Sequence, residues 1–275
     1  MKKLLYLFLL LHFSFGNSQE KKSTAAENVK IISEKFEMPQ LQTTRRIWIY
    51  LPPDYDQSRK KYPVIYLQDG QNLFDDKTSY AGEWQIDETL NQLFKEEEGS
   101  AIVVGIDNGG EKRIEELSPF KNEKYGGGKG ELYMKFIVET LKPYIDKNYR
   151  TKSTGKNTTL GGSSLGGLIS VYGAVEYPKT FGNILAFSPA FWFNSKELNE
   201  FISSKKSNLK HQKYYFIQGK HEDEGMDRET LKVIANLKLK NVKSKNIFFK
   251  EDEAGKHNEL FWRRVFPAAF LWVDL

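Results

Sequence analysis

The chain has 275 residues, of which 39% are hydrophobic and 14% aromatic. This length and composition suit one substantial hydrophobic core, and the chain is too short for two domains of ordinary size. The formal net charge of +5 is too weak and too scattered for a nucleic-acid-binding protein. The absence of cysteine excludes disulfides, thiolate nucleophiles and cysteine-bound zinc.

The N-terminus has the pattern of a secretory signal peptide. Two lysines precede a mostly apolar run at residues 4–13, and small and polar residues follow it. The run is about half as long as the ~20 apolar residues that a membrane-spanning helix needs. We therefore predict a signal peptide at residues 1–18, cleaved near Ser18 or Gln19, and a periplasmic or secreted protein without a stable membrane anchor.

Residues 19–44 are polar and nearly aperiodic, and we interpret them as a leader to one domain at residues 45–275. Beyond them, short runs rich in Val, Ile and Phe alternate with helix-length segments. The predicted strands are 45–51, 63–67, 101–106, 157–161, 183–188, 213–218 and 246–250, and the predicted helices are 85–96, 131–147, 165–177, 227–240 and 259–272. This alternation predicts an α/β fold with a mostly parallel central sheet and helices on both faces. In such sheets, the chemistry lies at the carboxyl ends of the strands.

One stretch fits the pattern G-x-S-x-G, namely Gly162-Ser163-Ser164-Leu165-Gly166. A pattern centred on Ser163 would need glycine where Leu165 stands. The motif places a serine nucleophile on a sharp turn between a strand and a helix, where its neighbours must be small. Because a predicted strand precedes the motif and a predicted helix follows it, Ser164 is the predicted nucleophile, and a purely structural turn is the alternative. The stretch lacks the spacing of both nucleotide-binding glycine motifs.

A serine nucleophile needs a base that takes its proton. His257 lies between the last predicted strand and the last predicted helix, at the edge of the sheet where Ser164 is expected. His221 also follows a predicted strand and is the alternative, whereas His211 precedes a strand and His12 falls in the predicted signal peptide. We therefore predict His257 as the base.

The third member of a triad should be a carboxylate that orients the imidazole. When the triad occurs in the chain order serine, acid, histidine, the acid lies in the loop after the next-to-last strand. Here that strand is predicted at residues 213–218. That loop reads GKHEDEGMD. Glu222 is the predicted acid, and Asp223, Glu224 and Asp227 remain alternatives.

Two backbone N–H groups should form the oxyanion hole. The first is expected from Leu165, at the start of a helix whose dipole favours negative charge. The second is expected from Gly70 or Gln71, in a turn that follows the predicted strand at residues 63–67.

Several stretches together resemble the putative esterase family of α/β-hydrolases. They are VIYLQDGQNLFD, GEWQIDETL, GGSSLGGLISVYGAVEYPKTFGNILAFSPAFWF and AGKHNELFW, and they occur in family order from about residue 40 to the C-terminus. The family includes enterochelin-type siderophore esterases, feruloyl and acetylxylan esterases and S-formylglutathione hydrolase. The resemblance implies an α/β-hydrolase fold.

The resemblance also implies roles for individual residues. Ser164 and His257 match the nucleophile and base, and Glu222 matches an acid three residues after Gly219. Three aromatic residues follow motif loops and are candidates for an acyl or sugar pocket, with core packing as the alternative. These are Trp84, Phe191 and Trp192.

The function expected from these residues is that of an exported serine esterase with a small-molecule or carbohydrate ester as substrate. No cofactor is expected, and no metal. His221 and Glu222 resemble the start of the zinc motif H-E-x-x-H, but Gly225 stands where its second histidine would be. The alternatives are an acyltransferase to a sugar hydroxyl and a non-catalytic binding module on a hydrolase scaffold.

Overall fold

The structure is a computed structural model that describes residues 22–222 and 224–274. The predicted signal peptide at residues 1–18 lies outside the described residues, as does Asp223, one of the candidate acids. In the part of the chain that is described, no helix combines the length and the apolar character needed to cross a membrane.

The described residues form strands and helices that largely alternate along the chain. The strands are β1 (Val29–Met38), β2 (Thr43–Tyr50), β3 (Val64–Gln68), β4 (Ile102–Ile106), β5 (Lys121–Asn122), β6 (Gly126–Gly127), β7 (Thr158–Ser163), β8 (Asn183–Phe187), β9 (Lys213–Gly219) and β10 (Ile247–Asp252). The helices are α1 (Ile86–Lys95), α2 (Arg113–Leu117), α3 (Gly130–Phe136), α4 (Lys142–Asn148), α5 (Leu165–Glu176), α6 (Ser195–Ser204), α7 (Met226–Leu239) and α8 (Glu259–Val273). A π-helical turn, Ile137–Leu141, joins α3 to α4.

Eight strands form one sheet in the order β1-β2-β4-β3-β7-β8-β9-β10. The pairs β1–β2 and β2–β4 are antiparallel, and the remaining neighbours are parallel. All seven strands predicted from the sequence belong to this sheet. The structure therefore confirms a mostly parallel central sheet.

Both faces of the sheet are covered. Side chains of β3 alternate between two hydrophobic clusters, with Val64 and Tyr66 in one and Ile65 and Leu67 in the other. The first cluster includes residues of α3 and α5, and the second includes residues of α1 and α8. Burial on both faces explains why the parallel strands have continuous apolar sequences.

The segment at residues 19–44, which the sequence led us to interpret as a leader, contains a strand of the sheet. Residues 29–38 form β1, which pairs with β2 at the edge of the sheet. Most side chains of β1 are half-buried or exposed, so this strand lacks the apolar pattern on which the prediction relied. The short helices α2 and α6 and the hairpin of β5 and β6 also lie where the sequence predicted no regular element.

The parallel strands bring the segments that follow them to one edge of the sheet. Asp69 follows β3, Ser164 follows β7, Ser188 follows β8, and Glu222 and His257 lie in the loops after β9 and β10. These residues are far apart in sequence, and they meet because the strands run in the same direction.

Candidate active site

Ser164 occupies the sharp turn between β7 and α5. Its backbone angles are φ 57° and ψ −121°, a combination that costs a non-glycine residue about 1–3 kcal/mol. The surrounding backbone holds this conformation, since Ser164 N–H donates to Phe187 O at 2.9 Å and Ala190 N–H donates to Ser164 O at 3.0 Å. Ser164 is thus held in a strained conformation at the end of its strand.

The glycines that flank Ser164 are needed for close packing. A Cβ atom at Gly162 would lie 2.8 Å from Gln68 Oε1 and 3.1 Å from the backbone of Gly166. A Cβ atom at Gly166 would lie 3.2 Å from the Gln68 side chain. The motif G-x-S-x-G therefore reflects the close approach of the turn, the helix and β3.

His257 and Glu222 are in contact. His257 Nδ1 lies 3.0 Å from Glu222 Oε2, where the Nδ1–H tautomer donates a hydrogen bond. The Glu222 side chain is 1% exposed, whereas that of His257 is 38% exposed. A buried carboxylate thus holds one ring nitrogen while the imidazole remains accessible, which is the arrangement that a base in a triad requires.

A pair of glycines brings the loops after β9 and β10 together. A side chain at Gly219 would collide with the carbonyl oxygen of Gly255, and one at Gly255 would lie 2.6 Å from the Cα atom of Gly219. Gly219 N–H also donates to Glu222 Oε1 at 2.7 Å. The contact between these glycines therefore sets the distance between the acid and His257.

Ser188 and Trp262 support Glu222 and were not predicted from the sequence. Ser188 Oγ–H donates to Glu222 Oε1 at 2.8 Å, and the indole Nε1–H of Trp262 donates to Ser188 Oγ at 2.9 Å. The Trp262 ring also packs edge-on against His257, with the ring centroids 5.2 Å apart. The backbone of Ser188 is strained, with φ 44°, and this strain marks the position as unusual in the structure. No sequence pattern identified Ser188.

Substitution of Ser188 by alanine is expected to lower kcat roughly tenfold without a matching change in KM. It removes a donor to a charged group, worth about 1.5–3 kcal/mol, from a carboxylate that orients His257. Steady-state kinetics on a short-chain ester measure both constants. Ser203→Ala, an exposed serine of α6, is the control, and a Ser188 variant as active as this control would contradict the supporting role.

The two candidate sources of the second oxyanion-hole N–H group differ in their surroundings. Gly70 is packed on β4, because a Cβ atom there would lie 2.8 Å from the backbone of Gly105 and of Ile106. Gln71 lines the cleft that contains Ser164. Leu165 begins α5, and the first N–H groups of a helix lack partners within the helix. These surroundings favour Gln71 over Gly70 as the second donor, and Leu165 remains the candidate for the first.

Ser164 and His257 open into one cleft of about 750 Å³. Its walls come from the loops after β3, β4, β7 and β10. The lining residues are Asp69, Gln71, Asn72, Tyr80, Ala81, Asp107, Asn108, Gly110, Arg113, Ser163, Ser164, His257, Glu259 and Trp262. Most of these residues have polar or charged side chains, but apolar atoms contribute more of the surface of the cleft than polar atoms do. Few of these residues could be identified from the sequence.

An ion pair forms part of the cleft. Arg113 binds Asp69 through two hydrogen bonds of 2.7 and 2.9 Å, and Asn108 Nδ2–H donates to Asp69 Oδ1 at 2.6 Å. Burial disfavours the charged guanidinium, but the Asp69 carboxylate outweighs this effect and raises the pKa of Arg113. Arg113 is therefore charged, and Asp69 balances its charge within the cleft.

Two further carboxylates face the same cleft. Burial raises the pKa of Asp107 to about 6, although the Trp48 indole donates a hydrogen bond to it at 2.8 Å. Burial, and the nearby Asp69 carboxylate, also raise the pKa of Glu259. The cleft thus combines one guanidinium with several carboxyl groups.

The three aromatic residues named as candidates for the pocket do not line the cleft. Trp84 is 3% exposed and packs on Phe187 and Trp262 in the core, and Phe191 is fully buried against Phe216. Both are corrected to core residues, because each ring packs among buried apolar side chains of a hydrophobic cluster. Trp192 is 44% exposed and contacts Tyr125 at the surface.

The other predicted alternatives lie elsewhere. Glu224 and His221 are exposed, and Asp227 is half-buried in the first turn of α7. None of these three lines the cleft of Ser164. Among the described acids of this loop, Glu222 is hydrogen-bonded to His257.

Comparison with known proteins identifies the family. The model of the Putative esterase family matches residues 39–273. The chain belongs to the Putative esterase family. It is a carboxylic ester hydrolase with an α/β-hydrolase fold.

The similarity to individual proteins is low in sequence identity. The chain is 26% identical over 243 residues to the uncharacterized protein YbbA of Bacillus subtilis, covering 83% of this chain and 92% of the relative. It is 25% identical over 222 residues to an endo-1,4-beta-xylanase/feruloyl esterase of Xylanibacter ruminicola, covering 78% of this chain and 27% of the relative. The enterobactin esterase FES of Shigella flexneri, solved in the presence of enterobactin, shares the fold with a TM-score of 0.72, 20% identity and coverage of 91% and 60%.

Proposed function

We propose that this esterase is an exported serine hydrolase that cleaves carboxylic esters through a covalent acyl-enzyme. The observation that carries the proposal is the hydrogen bond between buried Glu222 and accessible His257. His257 lines the same cleft as the strained Ser164. A serine at a strand-to-helix turn, a histidine and a buried acid are the three groups that acyl transfer at a serine requires.

In the proposed mechanism, Ser164 Oγ attacks the ester carbonyl while His257 Nε2 takes the hydroxyl proton. Glu222 stabilises the resulting imidazolium through Nδ1–H. The backbone N–H groups of Leu165 and Gln71 stabilise the oxyanion. His257 then protonates the leaving alcohol, and a water molecule, activated by the same histidine, hydrolyses the acyl-enzyme.

For the substrate, we propose an ester linked to a carbohydrate or of the siderophore type. The relative from Xylanibacter ruminicola, which is named as a feruloyl esterase, supports the first class, and membership of a family with siderophore esterases supports the second. Hydroxyl, amide and carboxyl groups of the cleft can bind the hydroxyl groups of such a substrate, and the larger apolar part of its surface can hold the carbon skeleton.

Covalent labelling tests the nucleophile directly. A fluorophosphonate should modify the protein once, at Ser164, because only an activated serine reacts readily with this class of reagent. Intact-protein and peptide mass spectrometry give the number and position of adducts. Ser163→Ala should still be labelled and Ser164→Ala should not, whereas an adduct at any other serine would refute the assignment.

A further inference from the structure

A cluster of three carboxyl groups lies outside the cleft, at the start of α1. Glu83 precedes the helix, and Asp87 and Glu88 belong to its first turn. One oxygen of each of the three carboxylates lies within 4.8 Å of the others. None of the three residues lines the cleft of Ser164.

Two of these carboxylates are buried and only half satisfied. Glu83 is 5% exposed and Asp87 is fully buried. The N-terminal segment satisfies one oxygen of each, since Thr24 Oγ1–H donates to Glu83 Oε2 at 3.0 Å and Ala26 N–H donates to Asp87 Oδ2 at 2.8 Å. The other oxygens, Glu83 Oε1 and Asp87 Oδ1, are buried and accept no hydrogen bond from any described residue.

An unpartnered buried carboxyl oxygen is costly. Burial and the neighbouring Glu88 raise the pKa of Glu83 to about 7 and that of Asp87 to about 8, so a bound cation would compete with protons for these oxygens. Within residues 22–222 and 224–274, no salt bridge joins a lysine or arginine to Glu83, Asp87 or Glu88. Glu88 brings a further acceptor and no donor. In the part of the chain that the structure describes, the cluster therefore has no lysine or arginine paired with it.

We propose that Glu83, Asp87 and Glu88 bind a hard divalent cation, with Ca²⁺ as its best fit. All of the ligand atoms are oxygens, the type that Ca²⁺ and Mg²⁺ prefer. The three carboxylate oxygens all lie within 4.8 Å of one another, close enough to share one ion of either kind. Ca²⁺ tolerates irregular ligand geometry, whereas Mg²⁺ demands a near-ideal octahedron, and water would complete the six to eight ligands of Ca²⁺.

The site would have a structural role. The hydrogen bonds from Thr24 and Ala26 attach the N-terminal segment to the same carboxylates, and Glu83 ends a loop whose residues Tyr80 and Ala81 line the cleft. A bound cation would hold the N-terminal segment, this loop and α1 together. Such a site has no histidine and therefore lacks the sequence pattern of a zinc motif.

Luminescence of Tb³⁺, an oxygen-binding substitute for Ca²⁺, is the first test. Trp84 adjoins Glu83 in the chain and is buried, so light absorbed by its indole should excite a Tb³⁺ ion bound to the cluster. The full chain, stripped with a chelator, should give a saturable Tb³⁺ signal that Ca²⁺ abolishes by competition. A signal that does not saturate, or that Ca²⁺ leaves unchanged, would overturn the proposal.

Thermal unfolding is the second test. Saturating Ca²⁺ should raise the Tm of the stripped protein on the order of 5 °C, because a ligand that binds only the folded state stabilises it. Mg²⁺ at the same concentration should have a smaller effect, and an equal or larger rise with Mg²⁺ would overturn the choice of Ca²⁺.

Isosteric variants locate the effect. Glu83→Gln and Asp87→Asn should each remove most of the Ca²⁺-dependent rise in Tm, as should Glu88→Gln, whose exposed side chain can change without loss of folding. Glu98→Gln, an exposed acid just beyond α1, should respond as the wild type does. A full Ca²⁺ response in the three cluster variants would refute the site. Ester hydrolysis is not the readout, so failure here leaves the proposed function untouched.

Discussion

Replacement of Ser164 by alanine is expected to lower kcat for a short-chain p-nitrophenyl ester by on the order of 10⁶. The variant lacks the oxygen that attacks the carbonyl, so no acyl-enzyme can form. Some residual catalysis should remain, because the oxyanion hole and the binding cleft are unchanged. Initial rates with the mature protein, measured against the uncatalysed reaction, give the size of the loss.

Ser163→Ala is the matched control for this result. Ser163 is buried as the last residue of β7, and Ser164 immediately follows it at the strained turn. Their proposed roles differ completely. The control should keep activity within about tenfold of the wild type, and unchanged activity in Ser164→Ala would refute the mechanism.

Replacement of Glu222 by glutamine is expected to lower kcat by on the order of 10⁴. The amide keeps the size of the side chain but removes the negative charge that stabilises the imidazolium. It can also present an N–H group to His257 Nδ1, which would favour the wrong tautomer. Steady-state kinetics should show a large fall in kcat with little change in KM, because the substrate does not contact Glu222.

Glu224→Gln provides the comparison, since it makes the same chemical change at an exposed acid in the same loop. It should behave as the wild type does, and so should Asp223→Asn. Small and equal effects at Glu222 and these neighbours would transfer the orienting role to another acid of the loop, with Asp227 next to be tested.

The regular core of the fold could be predicted because its strands are buried on both faces. Such strands must be continuously apolar, and this property is visible in the sequence whatever their neighbours are. The edge strand β1 could not be found in the same way. Its side chains are mostly half-buried or exposed, so its pairing with β2 leaves no apolar pattern.

The candidate site shows the same division. Gly162 and Gly166 are needed next to Ser164 for local packing, and a local requirement leaves a motif at fixed spacing. Trp84 and Phe191 show the converse, because an aromatic residue has the same sequence signature whether it lines a cleft or fills a core. The depth at which each ring is buried separated these two cases.

By itself, the sequence determined the order of the buried strands and the longer helices between them, the turn that carries Ser164 and the loop that carries His257, because each depends on residues close together in the chain. Only the tertiary structure decided which described acid contacts His257, how Ser188 and Trp262 support that acid, and how Arg113 and Asp69 pair in the cleft. It alone also brought Thr24 and Ala26 to the carboxylates near α1. These contacts join segments distant in sequence, and their geometry depends on the packing of the whole sheet.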